Sequence, residues 1–160
     1  MKRIVLMATL ALAAPAAAQD ATPEGQLVEG LLACIFGNGD AAATGAILAP
    51  FGWTSETDAD AGMVSFYPAV GEATYVYMST AGEFCQAESL TLGTEAAFQA
   101  AQAGMQGAEI TVTANEKDEL GCDGARLSTG ALLSLTSGGN DPTCDSDTDS
   151  ALRAIFAPAG

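Results

Sequence analysis

Four cysteines set the strongest limit on what this chain can fold into. Cys34, Cys85, Cys122 and Cys144 are spread across the chain, and no two stand in C-x-x-C spacing. That spacing argues against a thioredoxin-like redox site or a zinc knuckle. An even number in an exported chain reads as two disulfides, and three connectivities are possible. We favour Cys34–Cys85 with Cys122–Cys144. The first pair would pin an N-terminal helix to the middle of a sheet. The second would join two neighbouring segments in the C-terminal third. Loop-closure entropy assigns these closures about 4 and about 3.4 kcal/mol, a large part of a typical domain's whole stability.

Export is read from the N-terminus. Lys2 and Arg3 precede an apolar run from Ile4 to Ala14, Pro15 breaks it, and Ala16-Ala17-Ala18 supplies small residues in A-x-A pattern. This is the pattern of a bacterial-type secretory signal peptide over residues 1–18, cut after Ala18. The run is too short to span a bilayer before Gln19-Asp20 interrupts it. Leu31-Leu32-Ala33-Cys34 has the residue types of a lipid-attachment site, but the polar stretch Gln19–Gln26 separates it from the signal's apolar core. The expected location is therefore periplasmic or secreted. Residues 19–26 read as a flexible arm, and 27–160 as one disulfide-stabilised domain.

Charge narrows the partners. The chain holds 20 acids against 5 Lys and Arg, a net charge of −15. Loss of Lys2 and Arg3 with the signal takes it to −17, leaving Lys117, Arg126 and Arg153 as the cations. Nucleic acid and anionic membranes both need a basic patch, so neither is an expected partner, and no stable membrane insertion is expected. There is no histidine, which removes the commonest general base and the commonest zinc ligand.

Periodicity gives the elements. Leu27, Leu31 and Ile35 sit at helical spacing, predicting a helix from about Pro23 to Phe36 that Gly37-Asn38-Gly39 ends. Asp40 can cap a second helix over Ala41–Ala49. Thr54–Gly62 reads as a solvated turn. Strands are expected over Met63–Tyr67, Ala73–Ser79 and Glu83–Leu90, with Thr74, Val76 and Met78 on one face of the second and Tyr75 and Tyr77 on the other. Thr94–Gln106 returns to helical spacing through Ala97, Phe98, Ala101 and Met105. A strand over Ile110–Thr113, a charged turn over Asn115–Glu119 and a hairpin around Ser128-Thr129-Gly130 follow. Ala151–Phe156 reads as a short closing helix. The expected fold class is α+β, one antiparallel sheet of about five strands with two or three helices packed on it, in the order α-α-β-β-β-α-β-β-β-α. No internal repeat is visible.

Candidate sites are few. Asp145, Asp147 and Asp149 alternate with small hydroxyl residues, as in the first positions of a calcium loop. Ser150 stands where that motif needs glycine, and Phe156 where it needs a bidentate glutamate. The alternative reading is an acidic cap on the closing helix. No cofactor is expected, and weak calcium binding is compatible with either reading. Tyr67, Tyr75, Tyr77 and Trp53 could line a ligand groove if they share an exposed face, and Arg126 could hold an anion or a structural carboxylate. Ser128, Ser134 and Ser137 lack any histidine base, so serine hydrolysis has no support. The function expected from this is a small exported acidic binding or interaction module, its partner an unknown protein or small molecule. The alternative is a carboxylate-based hydrolase, with or without calcium support, acting on an envelope or extracellular polymer, which needs no histidine if two acids share a cleft.

Overall fold

The computed structural model describes residues 22–156. The expected signal peptide and residues 19–21 of the expected arm lie outside that range.

The chain is α+β, with three α-helices on one face of a single antiparallel sheet. Helix α1 runs Pro23–Gly37 and α2 Ala41–Leu48, followed by a 3-10 turn at Ala49–Phe51. Four strands follow: β1 Thr54–Asp58, β2 Met63–Tyr67, β3 Thr74–Ser79 and β4 Phe84–Ser89. Helix α3, Thr94–Gly107, leads to β5 Val112–Lys117, β6 Asp123–Leu127, β7 Leu132–Thr136 and β8 Ser150–Ile155. The sheet has eight strands, not about five, in the order β1-β2-β3-β4-β8-β7-β6-β5.

That order has a symmetry which the residues hide. A helix and a four-strand meander occur twice, and the two meanders meet where β4 pairs antiparallel with β8. The sequence shows no repeat, yet the topology is one. The seam joins Gln86 to Arg153 and Ala87 to Leu152 in register.

Three expectations fail, each for a physical reason. Ala151–Phe156 is not a closing helix but lies largely in β8. Ala, Leu and Arg favour helices, but here the segment fills the gap between β4 and β7, and both its edges are hydrogen-bonded. Long-range pairing overrides local propensity. Thr54–Asp58 is a strand, not a solvated turn. It is exposed along its whole length and pairs on one side only, so it carries no apolar alternation to read. Its polar, acidic side chains suit an edge that should not recruit further strands. Asn115 to Lys117, expected in a charged turn, belong to β5, where pairing with β6 outweighs their local turn preference. Helix α1 starts at Pro23, as its spacing predicts, and Gln26 in its first turn is buried and donates from Nε2 to the Val70 carbonyl at 2.7 Å.

The core lies between helices and sheet. Leu27, Leu31 and Ile35 of α1 pack with Val76, Met78, Ala87, Leu152 and Ala154 of the sheet and with Ala97, Ala101 and Met105 of α3. Phe98, expected on that α3 stripe, is about half exposed. Helix α1 presses closest at Gly30, where an added Cβ would come within 2.6 Å of Val76 Cγ2 and 3.2 Å of Ala87 Cβ. Disulfides join Cys34 to Cys85, fixing α1 to β4, and Cys122 to Cys144, fixing β6 to the long loop before β8. Cys34 and Cys85 are fully buried.

Candidate functional site on the helix-free face

Side chains alternate across a strand, so the residues between the core positions of β3, β4 and β8 point away from the helices. They are Tyr75 and Tyr77 of β3, Phe84, Gln86 and Glu88 of β4, and Ala151, Arg153 and Ile155 of β8. The register sets Tyr75 opposite Glu88, and Tyr77 opposite Gln86, which in turn faces Arg153 and then Ser134 of β7. One polar row thus crosses four strands at the seam.

The groups in that row hold each other. Arg153 Nε donates to Gln86 Oε1 at 2.6 Å, and Gln86 Nε2 donates to Glu88 Oε2 at 3.0 Å. The buried amide therefore links a cation to a carboxylate that do not touch. Glu88 is 2% exposed. Its other oxygen accepts from the Gly139 backbone N–H at 3.1 Å. Gly138 beside it must be glycine or shift, because an added Cβ would stand 2.5 Å from Glu88 Oε1. The loop between β7 and β8 thus folds over Glu88 and shields it.

Arg153 is held from two sides. Besides the bond to Gln86, its guanidinium lies 5.0 Å over the Phe84 ring centre. The rings continue the platform. Tyr75 and Tyr77 stack at 6.0 Å with 26° between their planes, and Phe84 meets Tyr77 edge-on at 6.0 Å. Burial, then the Glu88 hydrogen bond and charge, push the Tyr75 phenol well above its ordinary range. Burial and the Glu88 charge also raise Tyr77, while Arg153 pulls it the other way.

Arg153 differs from the other two cations described. Lys117 is exposed and pairs with Asp123 at 2.5 Å. Arg126 forms a forked pair with Glu116, at 3.0 Å from Nε and 2.7 Å from the terminal nitrogen, and also donates to the Gly130 carbonyl. That pair holds the Glu116 carboxyl below its usual range. Among the described residues, no carboxylate stands within ion-pair distance of Arg153.

Comparison with protein-family models, curated proteins and solved structures finds no match. The site must be read from its own geometry.

The structure divides the residues singled out from sequence. Tyr67 projects from the same face as Tyr75 and Tyr77, at the exposed end of β2. Trp53 is buried on the other side of the sheet, where its indole N–H donates to Glu29 Oε2 at 3.0 Å. Arg126 shares the tyrosines' face, but β4, β8 and β7 separate its strand from theirs, roughly 20 Å at the usual strand spacing. Gln86, Glu88 and Arg153 were not foreseen.

Asp145, Asp147 and Asp149 do not cap a closing helix, since none forms. They lie in the loop before β8, and that loop docks on α3. Thr94 N donates to the Ser146 carbonyl at 2.9 Å, and Ser146 N donates to Thr94 Oγ1 at 3.2 Å. Gly93 gives α3 no capping side chain. The Ser146 carbonyl takes the cap's place, accepting one of the helix's free backbone N–H groups. Asp149 accepts from the Ser146 hydroxyl. Among the described residues, no three His, Cys, Asp or Glu side chains converge as metal ligands would.

Two depressions lie elsewhere. One, of about 400 Å³, sits between α2 and the β1–β2 hairpin, lined by alanines, Trp53, Ser55 and Thr57. The other, of about 880 Å³, lies at one end of the sheet around Gly39, Gly82 and Thr129. Its acids are Asp40, which accepts from Ala43 N in capping α2, and Glu83. Neither gathers groups suited to chemistry. Neither is lined by the row from Tyr75 to Arg153.

Proposed function

We propose that this chain is a small exported binding module without chemistry of its own, which takes its ligand on the helix-free face between Tyr75 and Arg153. The observation that carries the reading is Arg153. It is held in place by Gln86 and Phe84, yet among the described residues it has no carboxylate partner, in a chain with 20 acids. An arginine fixed by neutral groups keeps its terminal donors for something else.

The compartment supports export. Two disulfides suit an oxidising environment, and no helix among the described residues is long and apolar enough to cross a membrane. We place the mature N-terminus at Gln19. The hydrolase alternative gains little support. Glu88 is the buried carboxylate among the described residues, and hydrogen bonds from Gln86 and Gly139 already occupy its two oxygens. It therefore serves to orient Gln86.

Saturation-transfer NMR tests the reading. The mature protein is screened against sugars, carboxylates, amines and phosphate, beside a variant with Tyr75 and Tyr77 both changed to Ser. Saturable binding by the native protein, lost in the variant, is the expected result. Binding that is absent, or equal in both, contradicts it.

A further inference from the structure

We infer that the ligand class for this face is a ring bearing a single carboxylate, with the carboxylate on Arg153 and the flat body of the ring over Tyr77 and Tyr75. The inference rests on the binding reading above and narrows it.

Three features lead there. The first is the anchor. A guanidinium offers a planar fork of donors that matches a carboxylate two-on-two. Gln86 takes Nε, and Phe84 covers one face. The remaining terminal donors point to the anion's place. The second is the shape. The stacked tyrosines and Phe84 continue from the anchor as an aromatic platform, and neither depression described above is lined by them. A flat ring can lie on such a platform with its far side in water. The third is charge. Glu88 sits one side chain beyond Gln86, and the chain carries −15 overall. Both oppose a dianion or a polyanion, whereas one carboxylate is balanced by Arg153. Two sources share this chemistry, aromatic acids and uronic acids, and one titration set separates them.

The experiment is a set of NMR titrations of the mature protein with benzoate, glucuronate, benzyl alcohol, glucose, benzylamine and inorganic phosphate. Benzoate or glucuronate should bind with a Kd in the ~0.1–1 mM range expected of one exposed ion pair plus ring stacking. Benzyl alcohol, glucose and benzylamine should bind at least ~10-fold more weakly. Arg153→Gln should weaken the carboxylate ~10-fold or more, and Arg153→Lys by less. Melting curves of both variants show that they are folded. The stronger of benzoate and glucuronate identifies the source.

Equal binding of benzoate and benzyl alcohol overturns the inference. So does phosphate binding as tight as benzoate, or a Kd unchanged in Arg153→Gln. If neutral rings bind and that binding is lost on changing Tyr75 and Tyr77, the inference fails and the binding reading stands. If nothing in the screen binds, both fail.

Discussion

The hydrogen bond from Arg153 Nε to Gln86 Oε1, 2.6 Å long, crosses the seam between the two halves of the chain. It unites residues 67 positions apart, each from the last strand of its own meander. Gln86 is 3% exposed, so its amide is shared between Arg153 and Glu88 with little help from water. Replacing Gln86 by Leu would leave the buried Glu88 oxygen and the Arg153 N–H without this partner. The expected loss is about 2–3 kcal/mol of folding stability, read as a lower urea midpoint. A loss below ~0.5 kcal/mol, the usual size for a neutral surface change, would mean that the amide is not the link described.

The Tyr75 phenol titrates above its ordinary value, chiefly from burial and then from Glu88. The unfolded phenol releases its proton near pH ~10, while the folded one holds it to higher pH. Stability from this group is complete below about pH 10 and is lost as pH rises beyond it. Melting temperature should therefore fall above pH ~10, and Tyr75→Phe should flatten that fall relative to the native protein. Identical slopes for the two proteins would contradict the assigned environment.

The two disulfides should differ in weight. Cys34–Cys85 closes the longer loop, 51 against 22 residues, and both its sulfurs are fully buried between α1 and β4. Changing this pair to Ala removes the closure and opens core space, for an expected loss of about 4–5 kcal/mol. Changing Cys122 and Cys144 to Ala should cost about 3 kcal/mol. Urea unfolding of the two double variants gives the order directly, and a larger loss from Cys122–Cys144 would reverse the account.

Ser150 is fully buried at the start of β8, and its hydroxyl has no hydrogen-bond partner among the described residues. Burying an unpaired hydroxyl is costly. Ser150→Ala should leave the fold intact and raise stability by about 1 kcal/mol. A loss of similar size, in the same unfolding assay, would show that the hydroxyl has a role that its surroundings do not reveal.

Much of this fold could be read along the chain, and the failures share one cause. Strands β2, β3 and β4, the three helices and the hairpin around Ser128-Thr129-Gly130 announce themselves through periodicity and turn residues. So does the placing of Tyr75 and Tyr77 on one face of β3. β8 does not, because Ala151-Leu152-Arg153-Ala154 is helix-favouring by composition and becomes a strand only when β4 and β7 accept it. Arg153 was hidden with it, since a residue assigned to a closing helix could not be placed beside Tyr77. Gln86 and Glu88 read as ordinary polar positions, and only the pairing partner on each side shows that they are buried. The acidic loop is similar. The cap expected of its acids fails with the closing helix, and the contact of the Ser146 backbone with the start of α3 is set by tertiary structure alone.

The central claim is that ligand binds the face bearing Tyr75, Tyr77 and Arg153, and the single tryptophan gives a direct check. Trp53 lies on the helix side of the sheet, and its indole N–H resonance is unique in the chain. Two-dimensional NMR with increasing benzoate should move the Arg153 Nε–H, the Gln86 side-chain amide and the rings of Tyr75 and Tyr77, and leave the Trp53 indole in place. Shifts centred on Trp53, or on the backbone amides of Gly39 and Gly82, with the Gln86 amide unmoved, would place binding elsewhere and contradict the account.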